Sequence, residues 1–231
     1  MGGSTDLARI DYARKPPPLL RLHRPANFAF RFALEPVGAA RKRVLDLVLA
    51  TTALLVLGPV LLTVAALIRL DSPGPALFRQ RRTGFRGRAF DVFKFRTMRE
   101  MDHSGPCAQA RRQDPRVTRL GRFLRRTSID ELPQLLNVLA GQMSLVGPRP
   151  HAVSHDHVFW LVEADYARRF LARPGITGLA QINGERGLSD TAEKVRRRLQ
   201  FDLAYIDDWS LLRDIKIMAA TVRVLFDKNA Y

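Results

Sequence analysis

The sequence has few cysteines, few acidic residues and few aromatic side chains other than phenylalanine. The single cysteine, Cys107, excludes an internal disulfide framework and a zinc cluster built on cysteines. Asp and Glu number 22 against 38 Lys and Arg, so the formal net charge is +16. This shortage of negative charge favours anionic partners, namely nucleic acid, anionic lipid headgroups or substrates that carry phosphate. The hydrophobic fraction of 46% excludes a disordered basic tail.

The chain is long enough for one good-sized domain with appendages. We divide its 231 residues into three parts. Residues 1–40 are basic and contain Pro16–Pro18 and Pro25, which predicts an irregular arm that lies on acidic headgroups. Residues 41–70 are predicted to form a membrane segment, and residues 71–231 a cytosolic, membrane-associated domain.

The membrane segment is predicted from an uncharged stretch. Residues 47–68 carry no charged side chain, and a spanning helix needs about 20 apolar residues. A buried core helix is the minor alternative, because core helices seldom run this long without a charge. Basic residues flank both ends, so the charges predict no orientation by the positive-inside rule. They are Arg41, Lys42 and Arg43 before the stretch, and Arg69, Arg79, Arg81 and Arg82 after it.

A proline interrupts this stretch near its centre, at Gly58-Pro59. A proline inside a helix removes one backbone hydrogen bond and clashes with the preceding turn, so it kinks or breaks the helix. We therefore predict a re-entrant helix-hairpin, broken at Pro59, that enters one leaflet and returns to the same face. A simple span is the alternative. Asp46, at the membrane edge, is expected to pair with a neighbour such as Arg43.

A small β-hairpin is predicted after the membrane segment. Residues 89–97 alternate apolar and polar side chains, and they are predicted to pair with residues 76–80 through a turn at residues 84–87. Lys94 and Arg96 then point to one face of the strand, two residues apart. They are interpreted either as a grip for phosphate or as the solvated face of a hairpin, and the pattern favours neither.

Three further stretches have apolar residues at helical spacing. Residues 116–126 predict an amphipathic helix with a cationic face, which the nearby uncharged stretch makes more suitable for a membrane surface than for nucleic acid. Residues 158–171 and 209–226 predict helices that pack in the core, with part of their surface in the membrane interface.

Two polar regions complete the predicted organisation. Residues 100–117 are polar and predict a loop near a site. His151, His155 and His157 are not spaced like a recognised set of metal ligands, so solvated or capping roles are predicted for them.

Two adjacent carboxylates, Asp130 and Glu131, stand near a predicted helix start. Pro133 belongs to the first turn, where its missing N–H has no partner in any case. Either Asp130 caps this helix, or Ser128 caps it and forms a capping box with Glu131. The pattern alone favours a capping role. In the functional interpretation, the helix dipole and the arginines at 125–126 keep Asp130 ionised, as a nucleophile must be.

A second cationic position is Arg149, which lies between two prolines. A guanidinium fixed in this way is a rigid fork suited to phosphate. The alternative is an arginine in a surface turn.

Several motifs together resemble a known family over residues 41–231. They are Lys94–Met98 (KFRTM), Asp130–Gln134 (DELPQ), Ser144–Pro150 (SLVGPRP) and Arg173–Gly178 (RPGITG). In this order they resemble the bacterial polyprenyl-phosphate phosphoglycosyl transferases of the monotopic class. Later features, such as Asn183-Gly184, Trp209-Ser210 and the ending at residues 228–231, are similar to the undecaprenyl-phosphate glucose phosphotransferase branch. The resemblance implies an α/β, mainly helical fold: a re-entrant membrane helix, a small β-hairpin, and a cytosolic catalytic part with interfacial amphipathic helices.

The resemblance also implies a transfer in two steps. The aspartate matching Asp130 attacks the β-phosphorus of a UDP-sugar and expels UMP, and undecaprenyl phosphate then takes the sugar phosphate from it. Mg²⁺ bound at Asp130 and Glu131 offsets phosphate charge. The implied phosphate-binding residues are Lys94, Arg96 and Arg149, and the residues implied on the nucleotide or sugar side are Arg173 and Asn183.

Location and partners follow from the same resemblance. It implies the bacterial inner (cytoplasmic) membrane, with the catalytic part on the cytosolic face, and the first step of exopolysaccharide, capsule or O-antigen assembly. The implied partners are a UDP-sugar, undecaprenyl phosphate and the lipid bilayer, with no nucleic acid; a homo-oligomer is left open. Glucose is the favoured sugar, galactose the next, and an N-acetylated or bacillosamine-type sugar the third.

Two departures from the family leave questions open, and one hypothesis of another class remains. Gly58 stands where the family commonly has serine, and Asn183–Gly187 carries one residue more than the commoner motif, so the residue that faces the sugar is not fixed. The other hypothesis is a membrane-tethered basic binding module. It explains the charge and the anchor, but it does not require the Asp130–Glu131 pair or Arg149.

Overall fold

The structure is a computed structural model that describes residues 36–99, 114–185, 187 and 191–225. Most of the predicted N-terminal arm, most of the predicted loop at 100–117, and the residues 228–231 lie outside this part. The predictions for these segments therefore stay predictions.

One helix dominates the N-terminal half. Helix α1 spans Ala39–Asp71, 33 residues, or about 50 Å at 1.5 Å per residue. Among the described residues it is the helix long and apolar enough to cross a membrane, and only 11% of its most apolar window is buried in the protein. A core helix would be mostly buried, so the core-helix alternative is not supported. Its exposed large apolar residues are Val44, Leu47, Val48, Leu49, Leu55, Val56, Val60, Leu62, Leu67 and Leu70.

The predicted break at Gly58-Pro59 is not confirmed. The helix continues through Pro59, and Thr63 Oγ1 donates a hydrogen bond of 2.9 Å to the Pro59 carbonyl. A proline costs one hydrogen bond of the helix, but the residues on both sides keep their helical conformation. The re-entrant course therefore stays a proposal.

The polar residues near the start of α1 attach it to the rest of the protein. Lys42 forms a buried ion pair of 2.6 Å with Asp214. Asp46 accepts hydrogen bonds of 2.9 Å from Ser144 Oγ and from the Leu145 N–H. Arg43 donates to two backbone carbonyls, those of Val138 and Leu139. The expected Asp46–Arg43 pair is thus wrong, because the folded domain supplies other partners to both side chains.

The predicted β-hairpin is confirmed. Strand β1, Leu77–Thr83, pairs antiparallel with β2, Ala89–Phe95, so that Leu77 lies opposite Phe95. A short 3₁₀ turn, Phe85–Gly87, connects them. A second sheet joins β3, Ser144–Val146, in parallel to β4, Gly175–Thr177. A side chain at Gly175 would collide with the backbone of Gly147, so this pairing requires glycine.

Helices make up most of the remaining domain, as predicted. They are α2 Arg119–Arg126, α3 Gln134–Leu139, α4 Val153–Val162, α5 Leu179–Ile182, α6 Ala192–Asp207 and α7 Leu211–Leu225. The single helix expected over 158–171 is wrong: α4 ends at Val162, and a 3₁₀ helix spans Ala164–Leu171. Glu163 between them has an extended backbone, φ −139°, which ends the first helix.

The apolar core has contributions from the predicted stripes. Phe159, Tyr166 and Phe170 are buried together, and Ile217 of α7 is 1% exposed. The expectation of core packing is therefore confirmed for the stretch at 158–171. In α7 it is wrong for Leu212, Ile215 and Val222, which are exposed, because the face that packs in the core is the one that carries Ile217. The outer positions are exposed, Leu161 by 72% and Leu212 by 60%, so an interfacial location for this side remains a prediction.

Candidate active site

The carboxylate pair lies on a short turn rather than at the start of a longer helix. Ile129–Glu131 forms a single 3₁₀ turn, preceded by Ser128 with φ 57°. Neither predicted cap occurs, because the Ser128 side chain makes no capping hydrogen bond and α3 begins only after Pro133. A left-handed serine costs about 1 kcal/mol or more, and such strain is concentrated at functional sites.

Glu131 is held by two cations from distant parts of the chain. Lys94 Nζ lies 2.7 Å from Glu131 Oε1, and Arg149 donates from Nη2 to Oε1 at 2.5 Å and from Nη1 to Oε2 at 3.0 Å. Burial alone would raise the pKa of Glu131, but Arg149 and Lys94 outweigh it and hold that pKa well below the usual value. Glu131 is therefore a permanent carboxylate at neutral pH.

Asp130 has a different environment from its neighbour. It is 7% exposed, and within the described part of the chain its Oδ1 has no hydrogen-bond partner. Burial and the adjacent Glu131 raise the pKa of Asp130 to about 6, against the opposing effect of Lys94, Arg125 and Arg149. The nearby arginines lower the pKa of Asp130, as expected, but burial raises this pKa by more. A buried carboxylate without a partner is expensive, and such groups mark functional sites.

The position of Arg149 depends on an arginine that the sequence analysis missed. Arg169 is 4% exposed, and its Nη2 donates to the Arg149 carbonyl at 2.7 Å. Arg169 also donates to the Tyr166 hydroxyl at 2.6 Å and forms an ion pair of 2.9 Å with Asp202. These contacts hold the backbone at Arg149 in place and so position its guanidinium group. The motif around Arg149 is visible in the sequence, but no local pattern indicates that Arg169 reaches it.

His151 belongs to the same buried network, so the solvated or capping role predicted for it is wrong. It is 9% exposed; its Nδ1 lies 2.7 Å from the Tyr166 hydroxyl, and its Nε2 lies 3.1 Å from Arg198. Burial and the nearby arginines, first Arg169, lower the pKa of His151 well below its usual value. The ring is therefore neutral at pH 7 and accepts from an arginine.

Arg96 lies away from this cluster. Its guanidinium donates to the carbonyls of Pro73 at 2.8 Å and of Ser72 at 2.5 Å, at the C-terminal end of α1. Lys94 and Arg96 therefore do not project to one place as expected. Arg96 lies just beyond the end of β2. Its guanidinium binds backbone carbonyls that follow the last turn of α1, where carbonyls have no partner within the helix. In this structure it joins the membrane helix to the hairpin.

The structure does not bring Arg173 and Asn183 to the carboxylate pair either. Burial and the neighbouring Arg43 lower the pKa of Arg173, which places this cation near the first turns of α1. Asn183 is exposed, and its side-chain amide donates to the Leu179 carbonyl at 2.8 Å. Their assignment to the nucleotide or sugar side stays a prediction.

A metal ion bound without a substrate would depend on ligand groups of the protein itself. Within residues 36–99, 114–185, 187 and 191–225, no three His, Cys, Asp or Glu side chains gather to hold an ion. Mg²⁺, however, is often held by one or two carboxylates together with substrate phosphates and water. The orphaned Oδ1 of Asp130 and the adjacent Glu131 fit that mode.

Within the described part of the chain, one carboxylate of the pair has an oxygen without a hydrogen-bond partner, and the other is held by a lysine and a bidentate arginine, an arrangement suited to phosphoryl chemistry. Comparison with known sequences agrees with this class. The family model for bacterial sugar transferases matches residues 37–228. The chain belongs to the bacterial sugar transferase family.

Curated relatives give a narrower comparison. A UDP-glucose:undecaprenyl-phosphate glucose-1-phosphate transferase of Caulobacter vibrioides is 54% identical over 192 residues, 83% of this chain and 72% of that protein. A protein of the same name from Escherichia coli K12 is 51% identical over 199 residues, 86% of this chain but 43% of that protein. A UDP-N-acetylgalactosamine-undecaprenyl-phosphate N-acetylgalactosaminephosphotransferase of Aeromonas hydrophila is 39% identical over 83% of this chain and 45% of that protein. The chain thus spans less than half the length of two of these three relatives.

Proposed function

We propose that this protein transfers glucose 1-phosphate from UDP-glucose to undecaprenyl phosphate and releases UMP. The observation that carries the proposal is the contrast between the two adjacent carboxylates. Asp130 is buried and its Oδ1 has no partner among the residues that the structure describes, whereas Glu131 is bound by Lys94 and Arg149. One carboxylate is thus available as a nucleophile, and two cations lie beside it for phosphate.

In the first step, a carboxylate oxygen of Asp130 attacks the β-phosphorus of the donor. A phosphorus–oxygen bond forms to Asp130, and the bond to the bridging oxygen breaks, so that UMP leaves with that electron pair. Low solvation makes Asp130 a stronger nucleophile, and a pKa of about 6 still leaves it mostly ionised at pH 7. Lys94 and Arg149 neutralise charge on the transferred phosphoryl group.

In the second step, an oxygen of undecaprenyl phosphate attacks the same phosphorus. The bond to Asp130 breaks, the carboxylate is regenerated, and the product is a polyprenyl diphospho-sugar. Mg²⁺ held by Asp130 and Glu131, when bound, supplies further neutralisation of phosphate charge. The two cations and the 3₁₀ turn hold the reacting groups in place, which is the main requirement of phosphoryl transfer.

Two relatives support glucose as the sugar. Each is identical to this chain at about half of the matched residues, and each is named a UDP-glucose transferase. The N-acetylgalactosamine-type relative has a lower identity, 39%. Within the family these names favour glucose over galactose and over N-acetylated sugars. Exopolysaccharide assembly is supported by a Rhizobium leguminosarum relative, an exopolysaccharide production protein 50% identical over 186 residues.

We propose a monotopic location on the cytosolic face of the inner membrane, and the packing of α1 supports the monotopic part of this proposal. Its buried residues lie on one face from Lys42 near the start to Ile68 near the end. Ala50 packs against Leu135 and Val138, and farther along Ile68 packs in the cluster of Phe95 and Leu124. Both ends of α1 therefore contact the same charged domain, which favours ends on one side of the bilayer.

The experiment that tests the function identifies the leaving nucleotide. The protein in nanodiscs is incubated with Mg²⁺, undecaprenyl phosphate and, separately, UDP-glucose, UDP-galactose and UDP-N-acetylgalactosamine, and UMP and UDP are quantified. The expected result is that UMP is released with UDP-glucose and not with the other two donors. Release of UDP would indicate ordinary glycosyl transfer and overturn the function of Asp130. Release of neither, by a folded protein, would favour the binding-module hypothesis.

A further inference from the structure

We propose that the divalent cation and the diphosphate of the donor bind to this site as one unit that exchanges existing ion pairs. In the free protein Glu131 is bound to Lys94 and Arg149; in the complex the metal ion takes Glu131, and phosphate oxygens take Lys94 and Arg149. This inference rests on the proposed function, because it assumes a diphosphate donor. It predicts that neither ligand binds well alone.

A metal ion at Glu131 would compete with Lys94 and Arg149 for the same oxygens. Both oxygens of Glu131 accept from a cation: Oε1 from Lys94 at 2.7 Å and from Arg149 at 2.5 Å, and Oε2 from Arg149 at 3.0 Å. Mg²⁺ binds carboxylate oxygens at 2.0–2.1 Å. A metal ion that close to Glu131 would stand against two positive groups on the same oxygens. It therefore displaces at least one of them.

Charge at the site also links the two ligands. Asp130 and Glu131 together carry two negative charges when ionised, and the positive charges beside them are those of Lys94, Arg149 and Arg125. A divalent cation added alone raises the charge of the site by two, and a diphosphate diester added alone lowers it by two. Added together, they leave it unchanged. The side chains of Lys94 and Glu131 are only 17% exposed, so solvent screens an imbalance poorly.

Asp130 differs from Glu131 in its partners before the donor arrives. Asp130 Oδ1 is buried and has no hydrogen-bond partner in the described part of the chain. Lys94 and Arg149 are bound to Glu131 in the free protein, so they do not form a hydrogen bond with this oxygen of the nucleophile. The ion pairs of Glu131 also hold the two cations in place in the free protein, since each would otherwise be poorly solvated at this position.

The test measures binding of Mn²⁺, a spectroscopic substitute for Mg²⁺, by electron paramagnetic resonance of the free ion. The ligand is a methylene-bridged analogue of UDP-glucose, a diester that cannot be cleaved between its phosphorus atoms. The protein in nanodiscs should bind Mn²⁺ weakly alone and roughly tenfold or more tightly with the analogue. The analogue should gain the same factor from Mn²⁺, because coupling between two ligands is reciprocal.

Substitutions give the sharper evidence because the expected effects have opposite signs. Lys94→Gln should tighten Mn²⁺ binding to the free protein, since one competing cation is gone, and should weaken binding of the analogue. Lys94→Arg keeps the charge and should keep weak Mn²⁺ binding. The control Arg81→Gln removes a charge from the same hairpin at an exposed position, and it should change neither affinity.

The outcomes separate this inference from the proposed function. If the Mn²⁺ affinity is the same with and without the analogue, and Lys94→Gln does not change it, the proposed exchange is wrong. A UDP-sugar could still be the donor in that case. No binding of the analogue with or without Mn²⁺ would overturn the donor itself. Thermal unfolding of each variant shows that it is folded, so a lost signal is assigned to the site.

Discussion

Lys42, near the start of α1, forms an ion pair of 2.6 Å with Asp214 in α7, and both side chains are almost fully buried, 5% and 1% exposed. Asp214 also accepts from the Tyr205 hydroxyl at 2.7 Å and from Trp209 Nε1 at 3.1 Å. The membrane helix and the C-terminal helix, 172 residues apart along the chain, are thus joined by one satisfied buried charge pair. Loss of one partner would leave the other charge buried.

The first prediction follows from this pair. Lys42→Ala should lower the free energy of unfolding by about 3–5 kcal/mol, the usual cost of one uncompensated buried charge. The measurement is thermal unfolding in nanodiscs. Arg41→Ala is the matched control, since Arg41 is exposed and adjacent, and it should change stability by less than about 0.5 kcal/mol. Equal effects of the two substitutions would contradict the structural importance of the pair.

The second prediction separates activity from stability at Asp130. Asp130→Asn should abolish UMP release, because an amide is no nucleophile. It should also raise the free energy of unfolding at pH 7.5 by about 1–3 kcal/mol, since burial raises the pKa of Asp130 to about 6 and each unit corresponds to about 1.4 kcal/mol. When folding raises the pKa of a carboxyl group, the folded state is destabilised only at pH values above the pKa of that group in the unfolded chain. The gain should therefore shrink as the pH falls from 6 towards 4.

Thermal unfolding of wild type and Asp130→Asn across pH 4–8 checks that difference. Normal turnover by Asp130→Asn would contradict the covalent mechanism. A variant that is less stable than wild type at pH 7.5 would contradict the cost assigned to the buried carboxylate.

The third prediction is the pH dependence of the first chemical step. With the pKa of Asp130 at about 6, the ionised fraction falls as the pH drops below that value. Formation of the phosphosugar–Asp130 adduct, trapped by rapid quench without undecaprenyl phosphate and measured by mass spectrometry, should slow about tenfold for each pH unit well below 6. A rate independent of pH between 5 and 7 would be inconsistent with Asp130 as the titrating nucleophile.

The fourth prediction tests Arg169 as a positioning residue for Arg149. Arg169→Lys keeps the charge, but a lysine cannot reach Asp202, the Tyr166 hydroxyl and the Arg149 carbonyl together. Displacement of the Arg149 fork should lower kcat/KM by up to about 100-fold. Arg168→Lys is the control, because its partner Asp207 is on the surface.

A merely structural effect of Arg169→Lys would lower the unfolding temperature and leave the kinetics of the folded fraction unchanged. The positioning effect changes kcat/KM of that folded fraction, with active sites counted by adduct formation. Wild-type kinetics per active site would therefore exclude a positioning role for Arg169.

The fifth prediction concerns topology. In a background with Cys107→Ser, cysteines at Arg41 and Arg81 should be labelled from the same side of sealed vesicles, since both ends of α1 pack on one domain. Arg41 and Arg81 are exposed, so access to them is not limited by the protein. A cysteine at Leu62, 74% exposed on the apolar face, should be shielded by lipid from both sides. Labelling of positions 41 and 81 from opposite sides would establish a span.

Features that depend on residue type and short spacing could be predicted before the structure was known. The uncharged stretch of α1, the alternation that forms the β1–β2 hairpin, and the adjacent Asp130 and Glu131 all have local patterns, and these patterns predicted the membrane segment, the hairpin and the candidate catalytic pair. The fixed order of the motifs indicated the family.

The pairing of charges, in contrast, could not be predicted from short spacing. Lys94 and Arg149 reach Glu131 from 37 and 18 residues away, and Arg169 reaches the Arg149 carbonyl from 20 residues away. Arg96, two residues after Lys94, binds instead the carbonyls of Ser72 and Pro73, just after the end of α1. Burial likewise decided the protonation of Asp130 and His151. These properties depend on desolvation and on long-range contacts, which exist only once the chain is packed, and a local pattern does not encode them.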